Sequence, residues 1–254
     1  MASALAVADF RQLQPSSRVR GLAALFVTWV GCLGLVGCDS TPGRTPSPPA
    51  ALVAPYPALI AVAPFTNESG VPVSPEGIFQ VSDALVSTLN QVHGWNAVPL
   101  NRTVQAMRNL GITEIPDLAT AATLVHSMGV DAIVLGTVTQ WDPYDPPRFG
   151  ANMILLANDG VDSQAVDSRL LTSSTGDATK VQAEAPHQIA QVIGVYDAAH
   201  HATMLRLQRY ASGRIELTGG FHPPERYYLM VFRRFVEFGT WCLVDQLLAD
   251  ERSR

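Results

Sequence analysis

The run 59–65, LIAVAPF in one-letter code, constrains the fold of this chain more than any other stretch. Its residues are apolar without alternation, and it ends in a Pro-Phe pair followed by the polar turn Thr66–Gly70. A short apolar run bounded by a turn is typical of a strand buried on both faces, as at the centre of an α/β sheet. We therefore expect the rest of the chain to supply the layers that cover this strand.

A helix is predicted directly after the turn. Ser74 is suited to the N-cap, Pro75 to the first helical position and Glu76 to the first turn, where an acid is favoured. Apolar residues then recur every three or four positions across 78–92, and Gly94 is placed to end the helix. This pattern predicts a one-sided helix that lies on the sheet.

Strand and helix patterns alternate along the next fifty residues. The predicted elements are a strand at 95–98, a helix capped by Asn101 and ended by Gly111, a helix begun by Pro116 and Asp117 and ended by Gly129, and a strand at 132–139. Their inward faces are expected to include Leu110 and Leu118. Strands that alternate with helices indicate a layered α/β unit with right-handed crossovers.

The C-terminal part of the chain is predicted to extend this unit. The expected elements are a loop at 141–147, a returning strand at 149–156, a polar insertion at about 157–186, a strand at 187–195, a helix from Asp197 to about Tyr210, and a long terminal helix from Pro223–Pro224 to about Leu248. The terminal helix has broad apolar sides, which we expect to pack on the domain's own sheet. The fold class is therefore α/β, a mixed sheet with flanking helices plus a long C-terminal helix, in a single domain over 58–254.

The N-terminal segment has the pattern of a secretion signal. Arginines precede an uncharged run at 21–36, which leads into Gly37-Cys38 and then Asp39. This resembles the bacterial lipoprotein signal, in which the cysteine receives a diacylglycerol and becomes the first mature residue. Cys38 is thus the candidate lipidation site, with 1–37 as signal peptide and 38–57 as a proline-rich tether.

Two alternatives to this interpretation stay open. The apolar run is only slightly shorter than the roughly 20 residues that span a bilayer, so it could be an uncleaved transmembrane anchor. Cys32 also follows a glycine, but Trp29 stands where an aliphatic residue is usual, which makes it the weaker lipidation site.

Composition and motifs argue against several functional classes. The formal net charge of −5 and the lack of a Lys/Arg run argue against nucleic acid as a partner. The sequence contains no Gly-x-Ser-x-Gly elbow, phosphate-binding loop, dinucleotide fingerprint or His-Glu-x-x-His motif, so we expect no enzymatic activity and no cofactor.

A few residues could in principle bind a metal or form a disulfide. Asp142 and Asp145 are possible metal ligands, but we interpret them as turn residues. The pair His200-His201 lacks a partner at four-residue spacing and is interpreted as surface or helix-packing histidines. Cys242 has no disulfide partner if Cys38 is lipidated, so we expect a buried, unreactive thiol. We therefore predict no metal site.

Three stretches within 58–156 resemble a known superfamily. They are IAVAPFTNESG, VSDALVSTLNQVHGWNAVPL and LVHSMGVDAIVLGTVTQWDPYDPPRFG. They are similar to the envelope lipoproteins that include the curli-secretion lipoprotein CsgG, the penicillin-binding-protein activator LpoB and the N-terminal domain of TolB. The resemblance implies an anticodon-binding-like α/β fold used for protein interaction at the cell envelope, and it carries no catalytic residues.

Together these observations predict a non-enzymatic envelope lipoprotein. We expect it to be anchored to the inner or outer membrane by its lipid, to face the periplasm and to bind an envelope protein or a second copy of itself. The alternative is a subunit of a CsgG-like secretion or envelope-spanning assembly, and an enzyme acting on envelope substrates is a third class without a motif. The 157–186 segment lacks alternating apolar residues, so we expect no membrane channel.

Overall fold

The apolar run at 59–65 supplies the end of the central strand of a mixed sheet, in a computed structural model that describes residues 49–158, 187–212, 214 and 223–252. The strands are β1 (Val53–Val62), β2 (Thr66–Asn67), β3 (His93–Ala97), β4 (Ala132–Asp142), β5 (Arg148–Ala157) and β6 (His187–Asp197). The helices are α1 (Pro75–Leu89), α2 (Leu100–Asn109), α3 (Leu118–Met128), α4 (His201–Ser212), α5 (Glu225–Met230) and α6 (Phe232–Arg252). The strand order is β3-β1-β4-β5-β6, with β2 beside β4.

Strand β1 is parallel to β3 and β4, whereas β4, β5 and β6 are successively antiparallel. The predicted fold class, a mixed sheet with flanking helices, is confirmed. One face of the sheet packs on α1 and α6, and α2 and α3 cover part of the other face. Ile60, Ala61 and Val62 are fully buried between these layers, so the prediction of a strand covered on both faces is also confirmed.

Strand β1 begins at Val53, so the five residues 53–57 belong to the strand and the predicted end of the tether was wrong. A proline is tolerated in this part of β1 because the neighbouring strand β4 starts further along. Leu59 donates its N–H to Asp131 Oδ2 at 2.7 Å, on the side where β4 begins only at Ala132. By strand alternation, the nitrogen of Pro57 faces that same side, where β4 has not yet begun, and no N–H is needed there.

The Pro-Phe and Gly-Thr-Val motifs meet each other in the fold. The Phe65 ring lies over Gly136, where a Cβ would come within 2.2 Å of Phe65 Cζ. The N–H of Phe65 donates to Ser82 Oγ at 2.9 Å, and Thr66 Oγ1 lies 3.0 Å from Thr137 Oγ1. These short motifs therefore serve to dock the end of β1 onto β4 and α1.

Helix α1 begins as predicted but ends earlier. Ser74 Oγ accepts the N–H of Gly77 at 3.2 Å, which confirms the N-cap. The helix ends at Leu89, so the prediction that Gly94 ends it was wrong. Gly94 lies inside β3 with φ +101°, because Asn90 bonds the backbone of Ala97 and turns the chain into the strand before that glycine is reached.

Three predictions for the next two helices were wrong, namely one N-cap and two inward-facing residues. Asn101 does not cap α2, since Pro99 holds the N-cap position and no side chain bonds the helix start. Leu110 and Leu118 were predicted to face inward but are 41% and 48% exposed, as each lies at a helix end. Asp117 does cap α3, accepting the Thr120 N–H at 2.8 Å, and this hydrogen bond lowers the pKa of its carboxyl.

Helix α4 does not have the cap predicted for it. It starts at His201, whereas Asp197 Oδ1 accepts the N–H of Ala199 at 2.8 Å within the preceding turn. The other oxygen of Asp197 lies 3.1 Å from Arg148 Nε, so this carboxylate joins β6 to β5.

The predicted terminal helix is two helices, since the chain leaves helical geometry at Val231 (φ −112°, ψ 94°). Helix α6 packs on β6, β5 and β1, as expected of a helix that covers its own sheet. Phe235 and Phe238 are fully buried there. At Gly239 an added Cβ would lie 2.4 Å from Phe149 Cδ1, so the helix approaches the sheet closely.

Candidate functional site

A groove of about 820 Å³ lies between helices α1 and α2. It is lined by Glu76, Phe79, Gln80 and Asp83 of α1, by Leu100, Asn101, Arg102, Val104, Gln105 and Arg108 of α2, and by Arg233 of α6. The α1 residues recur every three or four positions and form the stripe opposite its buried face. The groove is therefore formed by the outward sides of two neighbouring helices.

The floor of this groove is apolar. Phe79 is 41% exposed, whereas Leu100 is buried and Val104 is half-buried. An aromatic side chain is costly to leave in water, because burial of a Phe side chain contributes about 1.5 to 3 kcal/mol. Phe79 is thus a ready anchor for an incoming apolar side chain.

The two walls of the groove carry opposite charges. Glu76 and Asp83 stand on α1, and Arg102 and Arg108 stand on α2, all with exposed side chains. Within the described ranges these four side chains form no ion pair, and Arg233 lies 3.7 Å from Glu237 of its own helix. The charges are therefore available to a partner with the complementary pattern.

The ionisable side chains that line the groove are the two acids of α1 and the arginines of α2 and α6. An apolar floor between charged walls, set between two helices, matches the way an amphipathic helix is bound in a groove.

A second cleft, of about 720 Å³, lies at the end of β1 and includes the polar turn at 66–68. Asn67 Oδ1 accepts from the Ser69 N–H at 3.1 Å and from its hydroxyl at 2.7 Å. Asn67 Nδ2 donates to the Val71 carbonyl at 2.9 Å. The polar side chains of this turn are thus used to hold its own shape.

The candidate lipidation site, Cys38, lies outside the described residues, as do the signal peptide and most of the insertion. In the described part of the chain, no helix combines the length and apolar character that crossing a bilayer requires. Lipidation of Cys38 therefore stays a prediction.

The residues considered as metal ligands form no metal-binding group in the described part of the chain. Asp142 Oδ1 accepts the N–H of Tyr144 at 3.2 Å, as in a turn, and Asp145 is exposed. His200 and His201 are exposed as well, with His200 Nε2 3.8 Å from an Asp197 oxygen. Among the residues that the structure describes, no three His, Cys, Asp or Glu side chains are placed to hold one ion.

Cys242 has no exposed surface, so the predicted burial of this thiol is confirmed. Burial raises the pKa of Cys242 to about 12, and it also raises the pKa of the nearby Tyr196 hydroxyl. The thiol therefore stays protonated at neutral pH, where the reactive form is the thiolate.

The groove was not predicted from the sequence, although one of its residues stands out there. Phe79 falls on the polar side of the α1 pattern, between Glu76 and Asp83, where an aromatic residue has no core to enter. The α2 side of the groove could not be predicted from the sequence, because it depends on how α2 packs beside α1.

No family model matches this chain, and no curated protein does. Solved structures that align with it include the LpoB C-terminal domain from Salmonella enterica, at 10% identity over 57% of this chain and 85% of that one, with a TM-score of 0.38. The lipoprotein GNA1162 from Neisseria meningitidis aligns at 17% identity over 56% of this chain and 81% of its own, with a TM-score of 0.37. A PelC dodecamer from Paraburkholderia phytofirmans aligns at 10% identity over 80% and 95%, with a TM-score of 0.35. At these TM-scores the alignments assign neither an activity nor a partner to this chain.

Proposed function

We propose that this protein is a non-enzymatic envelope lipoprotein that binds another envelope protein through the groove between α1 and α2. The observation that carries the proposal is the exposed Phe79 between two walls of opposite charge. An exposed aromatic side chain in a groove supplies affinity, and the charged walls supply orientation and selectivity.

The chemistry of the groove defines its occupant as an amphipathic helix. Its apolar stripe would lie over Phe79 and Val104 on the groove floor. Basic side chains on one edge would face Glu76, and acidic side chains on the other would face Arg102 and Arg108. This arrangement fixes the direction of the bound helix, because the reversed helix would place like charges together.

The anchor part of the proposal comes from the sequence. A lipid on Cys38 and a proline-rich tether would hold the folded domain close to a membrane while letting it reach a partner there. The groove would then bind a protein of the same membrane or of the adjacent periplasm. Neither nucleic acid nor a cofactor enters this proposal.

The anchor is tested by metabolic labelling. Labelled fatty acid should enter the wild-type chain and fail to enter Cys38→Ala. Equal labelling of the two chains, or no labelling of either, would contradict a lipid anchor on this cysteine.

The groove is tested by photo-crosslinking in cells. A photoreactive phenylalanine analogue replaces Phe79 in the groove or, as the control, Tyr144, which is 80% exposed in the β4–β5 loop. We expect an adduct with one envelope protein from position 79 and none from position 144. The substitution Arg108→Glu should weaken that adduct, since it reverses one charge of the basic wall.

Two results would overturn the docking site. The same adducts from both positions, or an adduct unchanged by Arg108→Glu, would mean that the groove does not select its partner. Reproducible conductance of the purified lipoprotein in planar bilayers would instead favour the secretion-subunit alternative.

A further inference from the structure

Strand β6 forms one edge of the sheet, and no described residue pairs with its outer side. It is 11 residues long and pairs with β5 from Arg148 to Ala157 on its inner side. Alternate residues of such a strand direct their N–H and C=O groups outward, where they can pair with another strand. An edge of this length is a template for strand addition.

This edge lacks the features that usually prevent strand addition. Between Gln188 and Tyr196 there is no charged residue and no proline. The register shift with β5 lies close to Ile189, and the pairing from Ala190 to Asp197 continues without interruption. Natural edge strands are normally short, charged, kinked or broken by proline, and β6 is none of these over this stretch.

The face of β6 that α6 does not cover is partly apolar, with Gln191 beside two exposed aliphatic residues. Ile193 and Val195 are 66% and 54% exposed on the side of the sheet that α2 and α3 leave uncovered at this end. The opposite face of the strand packs on α6, where a Cβ at Gly194 would lie 2.8 Å from Leu243 Cδ2. The strand is therefore held in place by α6, while no described residue pairs with its outer edge or covers its other face around Ile193.

We propose that two copies of this chain pair through the outer edges of their β6 strands, antiparallel about a two-fold axis at Ile193. A two-fold axis normal to the sheet keeps the uncovered face of both copies on the same side, so residues of equal parity stand opposite one another. Ile193 of one copy then lies opposite Ile193 of the other, and Gln191 of each copy lies opposite Val195 of the other. The six side chains form one cross-strand cluster.

A second copy fits this edge better than an unrelated strand for two reasons. Residues 188–196 carry no charge, so two identical strands pair without like charges opposite one another. A charged partner strand would meet no opposite charge on this stretch. Strands β4, β5 and β6 are already antiparallel, so the added strand continues the same ladder into a sheet shared by both copies. This pairing lies on a different surface from the groove and does not depend on the proposed function.

The geometry is tested by adding one cysteine at a time to the full-length protein, which is then oxidised in detergent. Opposite residues of an antiparallel pair have Cα atoms about 4.5 to 5.5 Å apart, within the range of a disulfide. Ile193→Cys should therefore form a disulfide-linked dimer. Val195→Cys is the matched control, because its two copies would be separated by four residues of strand, or roughly 13 Å. The wild-type chain, with its own three cysteines, gives the background.

The association itself is tested by sedimentation velocity over a range of concentrations. The wild-type protein should sediment as a dimer and Ile193→Lys as a monomer, because two like charges would stand opposite each other at the axis. Leu118→Lys, on the exposed end of α3, should leave the dimer intact. Circular dichroism should show the same fold in all three proteins, since both substituted side chains are largely exposed.

Several outcomes would overturn this inference. A wild-type protein that is monomeric at every concentration has no such interface. A dimer that survives Ile193→Lys uses another surface, and a disulfide in Val195→Cys in place of Ile193→Cys contradicts the stated axis. A cysteine at position 193 that crosslinks to a different protein, or within its own chain, would assign the edge to another occupant. None of these results bears on photo-crosslinking at Phe79.

Discussion

The two edge strands of the sheet differ in length and in whether a side chain bonds their outer backbone groups. The β3 edge is 5 residues long and ends at Ala97, whose N–H donates to Asn90 Oδ1 at 2.8 Å. Asn90 Nδ2 in turn donates to the Ala97 carbonyl at 3.4 Å, so one amide side chain takes the place of a neighbouring strand. The β6 edge is 11 residues long, and among the described residues no side chain covers it in this way.

The direction of these groups explains the effect of Asn90. Val98 donates its N–H to the Ile60 carbonyl at 2.8 Å, toward β1, so the neighbouring Ala97 directs its own groups away from the sheet. Asn90 therefore bonds groups that would otherwise be open to a new strand. A sheet with one closed edge and one open edge can add strands on one side only, which favours a pair of molecules over a continuous fibre.

The largest expected effect comes from removing the helices that hold β6. A chain ending at Pro224 lacks α5 and α6, including Phe235, Phe238 and Leu243, which are fully buried. Each such side chain contributes about 1.5 to 3 kcal/mol, and a whole domain is stable by only about 5 to 15 kcal/mol. We expect no cooperative thermal transition by circular dichroism.

A chain ending at Arg252 serves as the control for this truncation and should melt like the full-length protein. Cooperative melting of the chain ending at Pro224, at an unchanged temperature, would show that β6 does not need these helices.

Alanine should destabilise the protein at the glycines of both edge strands, but for different physical reasons. At Gly194 the space is filled, with a Cβ 2.6 Å from Tyr196 Oη, so Gly194→Ala should cost about 1 to 3 kcal/mol by overpacking. At Gly94 the nearest atom is 3.5 Å away but φ is +101°, so Gly94→Ala should cost about 1 to 2 kcal/mol through backbone strain.

Asparagine separates these two causes, since it tolerates positive φ better than alanine but is larger. In urea titrations, Gly94→Asn should be less destabilising than Gly94→Ala, whereas Gly194→Asn should be more destabilising than Gly194→Ala. The same order at both positions would mean that one cause acts at both edges.

A smaller effect is expected when the β3 edge is opened. Asn90→Ala removes the two hydrogen bonds to Ala97 and should lower the free energy of unfolding by about 1 kcal/mol. It should also increase self-association, because the edge groups of β3 become available. The control Asn96→Ala, at an exposed asparagine of the same strand, should change stability by less than about 0.5 kcal/mol. Equal effects of the two substitutions would contradict the role of Asn90 in bonding the edge of β3.

Local signals in the sequence predicted much of this fold. The central strand followed from the apolar run at 59–65, the start of α1 from Ser74 and Pro75, and the hairpin of β4 and β5 from two apolar stretches around a proline-rich loop. In each case the residues that determine the element are neighbours in the chain.

The rest depended on contacts between distant residues. Gly94 has the sequence context of a helix-ending glycine, but the bond from Asn90 to Ala97 and the pairing of β3 with β1 place it in a strand. For β6, both residue parities are largely apolar from Ile189 to Tyr196, so the sequence alone does not tell which face α6 covers. The groove required the packing of α2 beside α1, while the lipidation of Cys38 stays a prediction outside the described residues.

The most direct test of the difference between the edges is residue-resolved amide hydrogen exchange at two protein concentrations. The outward-facing amides of β6 should exchange quickly when dilute and become protected when concentrated, as the second copy binds. The Ala97 amide should be protected equally at both concentrations, since Asn90 of the same chain bonds it. Protection of β6 that does not change with concentration, or protection of Ala97 that does, would contradict an open β6 edge and a closed β3 edge.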